Sequence, residues 1–192
     1  MALVLTTAPT VEHVSLADAK LHLRIDGTAE DALINSLILT SRLHIETALG
    51  LALIAQNWSY FIDRWPSGRV LELPLRPVSA ISAIRVYASD GSFETVAPSS
   101  YVTDVNATAP RVVLQTSAAR PAPGRPANGI EIAMTAGYGT AAADVPQPIR
   151  QALLILAAHW YEHREVVELD GTATRVPESA SALLASYRPV RL

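Results

Sequence analysis

The sequence predicts an α+β chain: a helical bundle made from its N- and C-terminal helices, with a small antiparallel β-sandwich or barrel-like region inserted between them. Two observations predict it. Helical periodicity fills the first fifty residues and returns after Val145, whereas the stretch between is broken into short period-two segments separated by Gly, Pro and Asp. The second is the stretch Val145–Glu165, which is apolar almost all round before Glu162-His163-Arg164-Glu165. Such a helix is buried on more than one side, and this one is too short to span a membrane. It belongs at the centre of a bundle or between subunits.

The elements follow in order. Ser15 is placed to cap a first helix through Leu16, Ala19, Lys20 and Leu23, with Asp18 in the capping-box position, and Asp26-Gly27 stops it. Thr28 caps a second, longer helix whose first turn holds Glu30 and Asp31, favourable at the positive end of the helix dipole. Its apolar stripe is Ile34, Leu37, Ile38, Ile45, Ala48 and Leu49, and Gly50 is a natural C-terminal cap. Trp58, Tyr60 and Ile62 alternate with Asn57, Ser59 and Phe61, as in a strand. Further strands are expected at Val70–Leu73, Ile81–Tyr87, Phe93–Val96 (after the Asp90-Gly91 turn), Tyr101–Val105, Arg111–Leu114 and Ile130–Met134. The segment Arg120–Gly129 is too rich in proline for regular structure.

Asp144 stands as the cap of the central helix, with Pro146 and Pro148 near its first turn, where a missing N–H costs nothing. Val166–Pro177 has no periodicity and reads as a loop. Ser179 or Ser181 begins a last helix through Leu183, Leu184 and Tyr187, before the basic tail Arg188–Leu192. The expected organisation is therefore residues 1–52 as N-terminal helices, 53–140 as the inserted β-region, and 141–192 as the central helix, loop and last helix that complete the bundle.

Composition narrows the function. Of 192 residues, 49% are hydrophobic and 17% charged, which suits a packed core. A mean hydropathy of +0.22 is high for a soluble monomer and points to apolar surface covered by partners. The net charge of −3 argues against tight binding to nucleic acid, which requires a basic face. The absence of cysteine removes disulfides, thiolate metal sites and cysteine catalysis. No basic, apolar leader opens the chain, so it is expected to be made in the cytosol.

The sharpest enzyme-like signal is His159-Trp160-Tyr161-Glu162-His163, an H-x-x-E-H pattern. Residues four apart share a helix face, so His159 and His163 could meet one zinc ion while Glu162 activates water. A third protein ligand is needed. The candidates after His163 are Glu165, Glu168, Asp170 and Glu178, none of them on a clearly predicted partner helix. His159, beside alanine and tryptophan, also fits an ordinary packed histidine. No Ser-based or phosphate-loop motif is present: Gly137-Tyr138-Gly139 lacks the lysine and spacing of a phosphate loop. The residues alone give no convincing catalytic set and call for no cofactor.

Several segments carry a resemblance. They are Leu3–Pro9 followed by Val14–Arg24, Asp31-Ala32-Leu33-Ile34 with Gly50 closing the helix, and Gln56-x-Trp58. To these add Gly137-Tyr138-Gly139, Val145-Pro146, Ile149, Gln151-Ala152 and His159-Trp160-Tyr161-Glu162-x-Arg164-Glu165. Nearly the whole chain, in this order, resembles the head–tail connector (adaptor) proteins of long-tailed phages, prophages and gene transfer agents. The resemblance implies a non-enzymatic subunit of a ring, typically of twelve copies, beneath the portal of a filled head in a virion or virus-like particle. Its implied partners are further copies of itself, the portal protein and a tail-side stopper or tail terminator. DNA would pass through the channel without specific binding, and no membrane would be involved. Relatives often carry asparagine in place of His163, which weighs against a required metal there. Candidate subunit or portal contacts are Leu153, Leu156, Trp160, Tyr187, Arg188 and Arg191. The rivals are a zinc-dependent hydrolase using His159, Glu162 and His163, and a soluble interaction domain unrelated to virions.

Overall fold

The computed structural model describes residues 1–163 and 176–188. The chain forms two compact units: Met1–Pro9 with Ala55–Tyr138, and Thr10–Ile54 with Gly139–Leu192.

The first unit is antiparallel β. Its larger sheet has the order β1-β2-β8-β4-β5, from strands Ala2–Thr7, Gln56–Ile62, Ile130–Ala136, Val78–Tyr87 and Phe93–Thr95. A second sheet has the order β3-β7-β6, from Val70–Glu72, Arg111–Leu114 and Tyr101–Asp104. Strand β8 is central, with Ile132 facing Tyr60 on one side and Ile84 on the other. Because side chains alternate along a strand, Ile130, Ile132, Met134 and Ala136 share one buried face, and Glu131 points to the other. The Asp90-Gly91 turn forms as expected. Gly91 takes φ +93°, and the Asp90 carboxylate accepts from the Ser92 N–H at 2.9 Å.

Strand β1 was not expected. The chain's first residues are placed in the β-unit and not with the helices, because β1 pairs with β2, from Ala2 opposite Phe61 to Thr7 opposite Asn57. Its pairing partner lies about fifty residues away, and a short exposed edge strand leaves no hydrophobic period to read. Strand β2 also buries a different set from a simple alternation: Gln56, Ser59 and Ile62 are buried, while Trp58 and Tyr60 are only half-buried.

Among the described residues, the second unit has four α-helices packed as a bundle: α1 (Leu16–Leu23), α2 (Asp31–Leu49), α3 (Gln147–Glu162) and α4 (Glu178–Leu184). Helix α3 packs against all three others. Ser15 caps α1 as expected, its hydroxyl accepting from the Asp18 N–H at 3.0 Å and donating to the Asp18 carboxylate at 2.8 Å. The helix ends sooner than Asp26-Gly27, on Arg24 in the left-handed conformation (φ +57°).

Two expected caps differ. Thr28 does not cap α2; it starts a turn whose carbonyl accepts from Asp31, and the helix begins at Asp31 with no side-chain cap. Asp144 does not cap α3, which starts after Pro146. Its carboxylate instead accepts from the Ala141 N–H at 2.9 Å and closes a single 3-10 turn, Ala142–Asp144. Helix α4 begins at Glu178 after Pro177, just ahead of the expected serines. Gly50 does close α2 in the left-handed region, at φ +62°. Among the described residues, no helix is long and apolar enough to cross a membrane.

Candidate functional site

Helix α3 is the axis of the helical unit, and most of the candidate residues lie on or beside it. Leu153 and Leu156 are buried within the chain. They fill the bundle together with Ile149, Ala152 and Ala157, so in this fold they are core and not surface offered to a neighbour. A helix apolar on several sides is satisfied here by three intramolecular helices. Trp160, one turn further on, is half-buried and meets the His44 ring of α2 edge-on, with centroids 5.6 Å apart. Tyr187 is half-buried and Arg188 exposed at the end of the last helical turn. Arg191 lies outside the described residues, as does most of the segment expected to form the Val166–Pro177 loop.

The H-x-x-E-H residues come together only in part. The His159 and His163 rings stack with centroids 4.3 Å apart, as i, i+4 neighbours do. The His163 Nδ1 is 2.7 Å from the His159 backbone carbonyl, so it is engaged as a donor at the helix end. Glu162 is exposed. Among the described residues, no group of three or more His, Asp or Glu side chains is arranged to hold a metal ion. Three of the four candidate third ligands, Glu165, Glu168 and Asp170, lie outside the described residues, and Glu178 stands in the first turn of α4. The local geometry is that of a helix terminus with ordinary polar contacts, and nothing in it favours a hydrolase.

The helical unit also contains a charged cluster that the sequence reading did not assemble. Arg42 and Glu46 are both buried on α2. Arg42 holds Glu12 through Nε–Oε2 (2.9 Å) and Nη2–Oε1 (3.2 Å), and reaches Glu46 through Nη1 (2.9 Å). The other Glu46 oxygen accepts from the Leu53 N–H at 2.9 Å. This network fastens the segment before α1 and the segment after α2 to the middle of α2. The 42/46 spacing was legible as an i, i+4 pair. Its burial, and the third partner thirty residues away, were not.

Next to this cluster, His13 is wholly buried, and neither ring nitrogen has a hydrogen-bond partner among the described residues. Burial, followed by the Arg42 and Arg150 charges, pushes its pKa down to about 3. Its backbone carbonyl accepts from Arg150 Nε at 3.2 Å, which ties it to the start of α3. His13 is a neutral packing residue at ordinary pH.

The β-unit has its own polar cluster on the Glu131 face of the larger sheet. Glu131 accepts from Ser59 Oγ (2.6 Å), Tyr87 Oη (2.6 Å) and Arg85 Nη1 (3.2 Å). Burial pushes its pKa up, but these three bonds outweigh burial and hold it below the usual range. In turn the bond to Glu131, then burial, raises the Tyr87 hydroxyl. The cluster is a satisfied structural network with no nucleophile paired to a base.

The relatives agree with a structural reading. Residues 13–95, which contain α1, α2 and β2 to β5, match the model of the family described as phage gp6-like head-tail connector proteins. Solved structures extend the likeness over the whole chain. One is a chain of the neck of an empty gene transfer agent particle, computed with C6 symmetry: it is 28% identical, with a TM-score of 0.86 over 100% of this chain and 97% of that one. A chain of the virion of a native gene transfer agent particle is 27% identical, with a TM-score of 0.83 over the same shares. A third, from the neck of a native particle computed with C12 symmetry, is 26% identical, with a TM-score of 0.82 and again 100% and 97% covered. No curated protein matches the chain.

Proposed function

We propose that this chain is a structural head–tail connector subunit that forms a ring at the neck of a phage-like or gene-transfer-agent particle. The observation that carries the reading is the likeness, over all of this chain, to chains solved in particle necks with C6 and C12 symmetry. The connector-family match over residues 13–95 supports it independently. The chain acts by holding surfaces in place and not by catalysis.

The finer assignment is that the ring sits beneath the portal, extends the DNA channel, and presents its far side to a tail-side stopper or terminator. A net charge of −3 supports the channel role, since DNA can slide past a wall that does not release its counterions. The exposed Arg188 and the following tail are proposed as a portal-docking arm. Ring closure would be templated on the portal, because a head-to-tail contact closes only when the rotation per subunit is right.

Deleting the coding sequence is expected to leave DNA-filled heads and free tails that do not join. Tailed particles in normal number would overturn the proposal. Mixing the purified chain with its cognate portal tests the finer step: light scattering should show a small species becoming part of a large ring complex.

A further inference from the structure

Helix α2 is organised inside out. Its two mid-helix charges, Arg42 and Glu46, are buried and bonded to each other, while the positions that face outward from Leu39 to Ala48 carry no carboxylate, lysine or arginine. Those positions are Leu39, Thr40, Leu43, His44, Thr47 and Ala48, with Leu43 49% exposed. Trp160 of α3 borders them and forms one wall of an open hollow over Thr40, Leu43 and Thr47. An exposed helix face normally carries interspersed charges for solubility. Apolar and small neutral side chains there are what another protein surface covers.

The same unit exposes a second apolar point elsewhere. Leu21 of α1 is 80% exposed, beside a hollow that Val14 and Leu154 share with Asp18, His22, Gln147 and Arg150 near the start of α3, whereas Trp160 is at that helix's end. A closed ring of identical chains needs two different surfaces, one from each neighbour. This unit supplies two. The α2 face from Leu39 to Ala48, about 15 Å long by helix rise and roughly 10 Å wide, offers only on the order of 150 Å², well short of the roughly 800 Å² per partner of a stable free-standing complex. It suits a contact that forms only where copies are already lined up. Arg188 borders it beside His44 and Ala48, but the face itself carries no lysine or arginine and does not suit DNA.

We infer that the outer face of α2, centred on Leu43 and Thr47, is the lateral contact between copies in the ring, and that it meets the Leu21 surface of the next copy. This assignment builds on the connector reading above.

The chain contains no cysteine, so single thiols can be placed cleanly. Leu43→Cys and Leu21→Cys chains would be co-expressed in particle-producing cells, and the purified particles treated with a short bis-maleimide. The expected product is a dimer containing one of each variant, absent when either variant is expressed alone. Particles that contain both variants and yield no mixed dimer, or yield only adducts to another particle protein, would overturn the α2 assignment and leave the connector reading standing. Absence of the wild-type chain from purified particles would instead sink the connector reading, and this one with it. Leu43→Glu provides a second readout: an unchanged melting temperature with at least a tenfold loss of incorporation is expected. Wild-type incorporation would contradict the assignment.

Discussion

Arg42 and Glu12 form a two-pronged ion pair across thirty residues of sequence, with Nε–Oε2 at 2.9 Å and Nη2–Oε1 at 3.2 Å. The pair works because the third guanidinium nitrogen holds Glu46, which in turn receives the Leu53 N–H. A planar fork matches carboxylate geometry in a way an ammonium cannot. Arg42→Leu leaves two carboxylates, one of them buried, without their cation. It should cost about 3–5 kcal/mol in urea-induced unfolding. Arg42→Lys should recover only part of that loss.

Acid should weaken the fold through His13. Its pKa is about 3 in the folded chain against 6.5 unfolded, so between these values the unfolded state binds more protons. The stability it contributes is complete above about pH 6.5 and is lost as pH falls toward 3, at up to about 1.4 kcal/mol per pH unit. The charged groups facing it are Glu12, Arg42 and Arg150. His13→Leu should flatten this part of the stability–pH curve, measured by denaturant titration at pH 7, 5.5 and 4. An unchanged slope would show that other groups govern it.

Tyr87 should titrate later than an ordinary tyrosine, since its hydroxyl donates to the Glu131 carboxylate. Glu131→Gln keeps the side-chain shape and removes the charge. Ultraviolet difference titration should then show one tyrosine moving back toward the normal range. The four-residue cluster should also lose about 1–3 kcal/mol of stability, because Arg85 and the two hydroxyls lose a charged acceptor.

Zinc is a separate test. The purified chain should carry no stoichiometric zinc, and Glu162→Ala and His163→Asn should leave particle assembly unchanged. One zinc per chain, removed by His163→Asn, would reopen the hydrolase reading.

Gly139 has no room for a side chain: a Cβ there would collide with the Asp144 carboxyl group that closes the turn before α3. Gly139→Ala should lower stability by about 1–3 kcal/mol through this clash. Gly139→Ala combined with Asp144→Ala should recover part of the loss, read as a shift in melting temperature.

The helices were legible because their signals are local. Ser15 with Asp18, Gly50, and the apolar run from Ile149 to Ala157 specify start, stop and burial within a few residues. Thr28 and Asp144 were misplaced as caps for the same reason. Each has the right chemistry, but a nearby turn takes it before the helix does. β1 was missed because its identity rests on a partner at Gln56–Ile62. The candidate contacts were less legible still. Helical period marked Leu153 and Leu156 as apolar but could not say whether the bundle or a neighbour covers them. The buried position of Arg42 and Glu46, which leaves the outside of α2 without charge, depends on Glu12 and Leu53 arriving from elsewhere.

The placement of β1 has a consequence for how the chain is made. The strand is synthesised before its partner β2, which follows some fifty residues later, and β8, which completes that side of the sheet, ends at Ala136. The bundle must wait longer, because α1 and α2 lack their core until α3 is synthesised. Neither unit can finish during most of translation. Folding of this kind, dominated by contacts between distant residues, is slow and leaves apolar surface open meanwhile. The nascent chain is therefore expected to depend on chaperones.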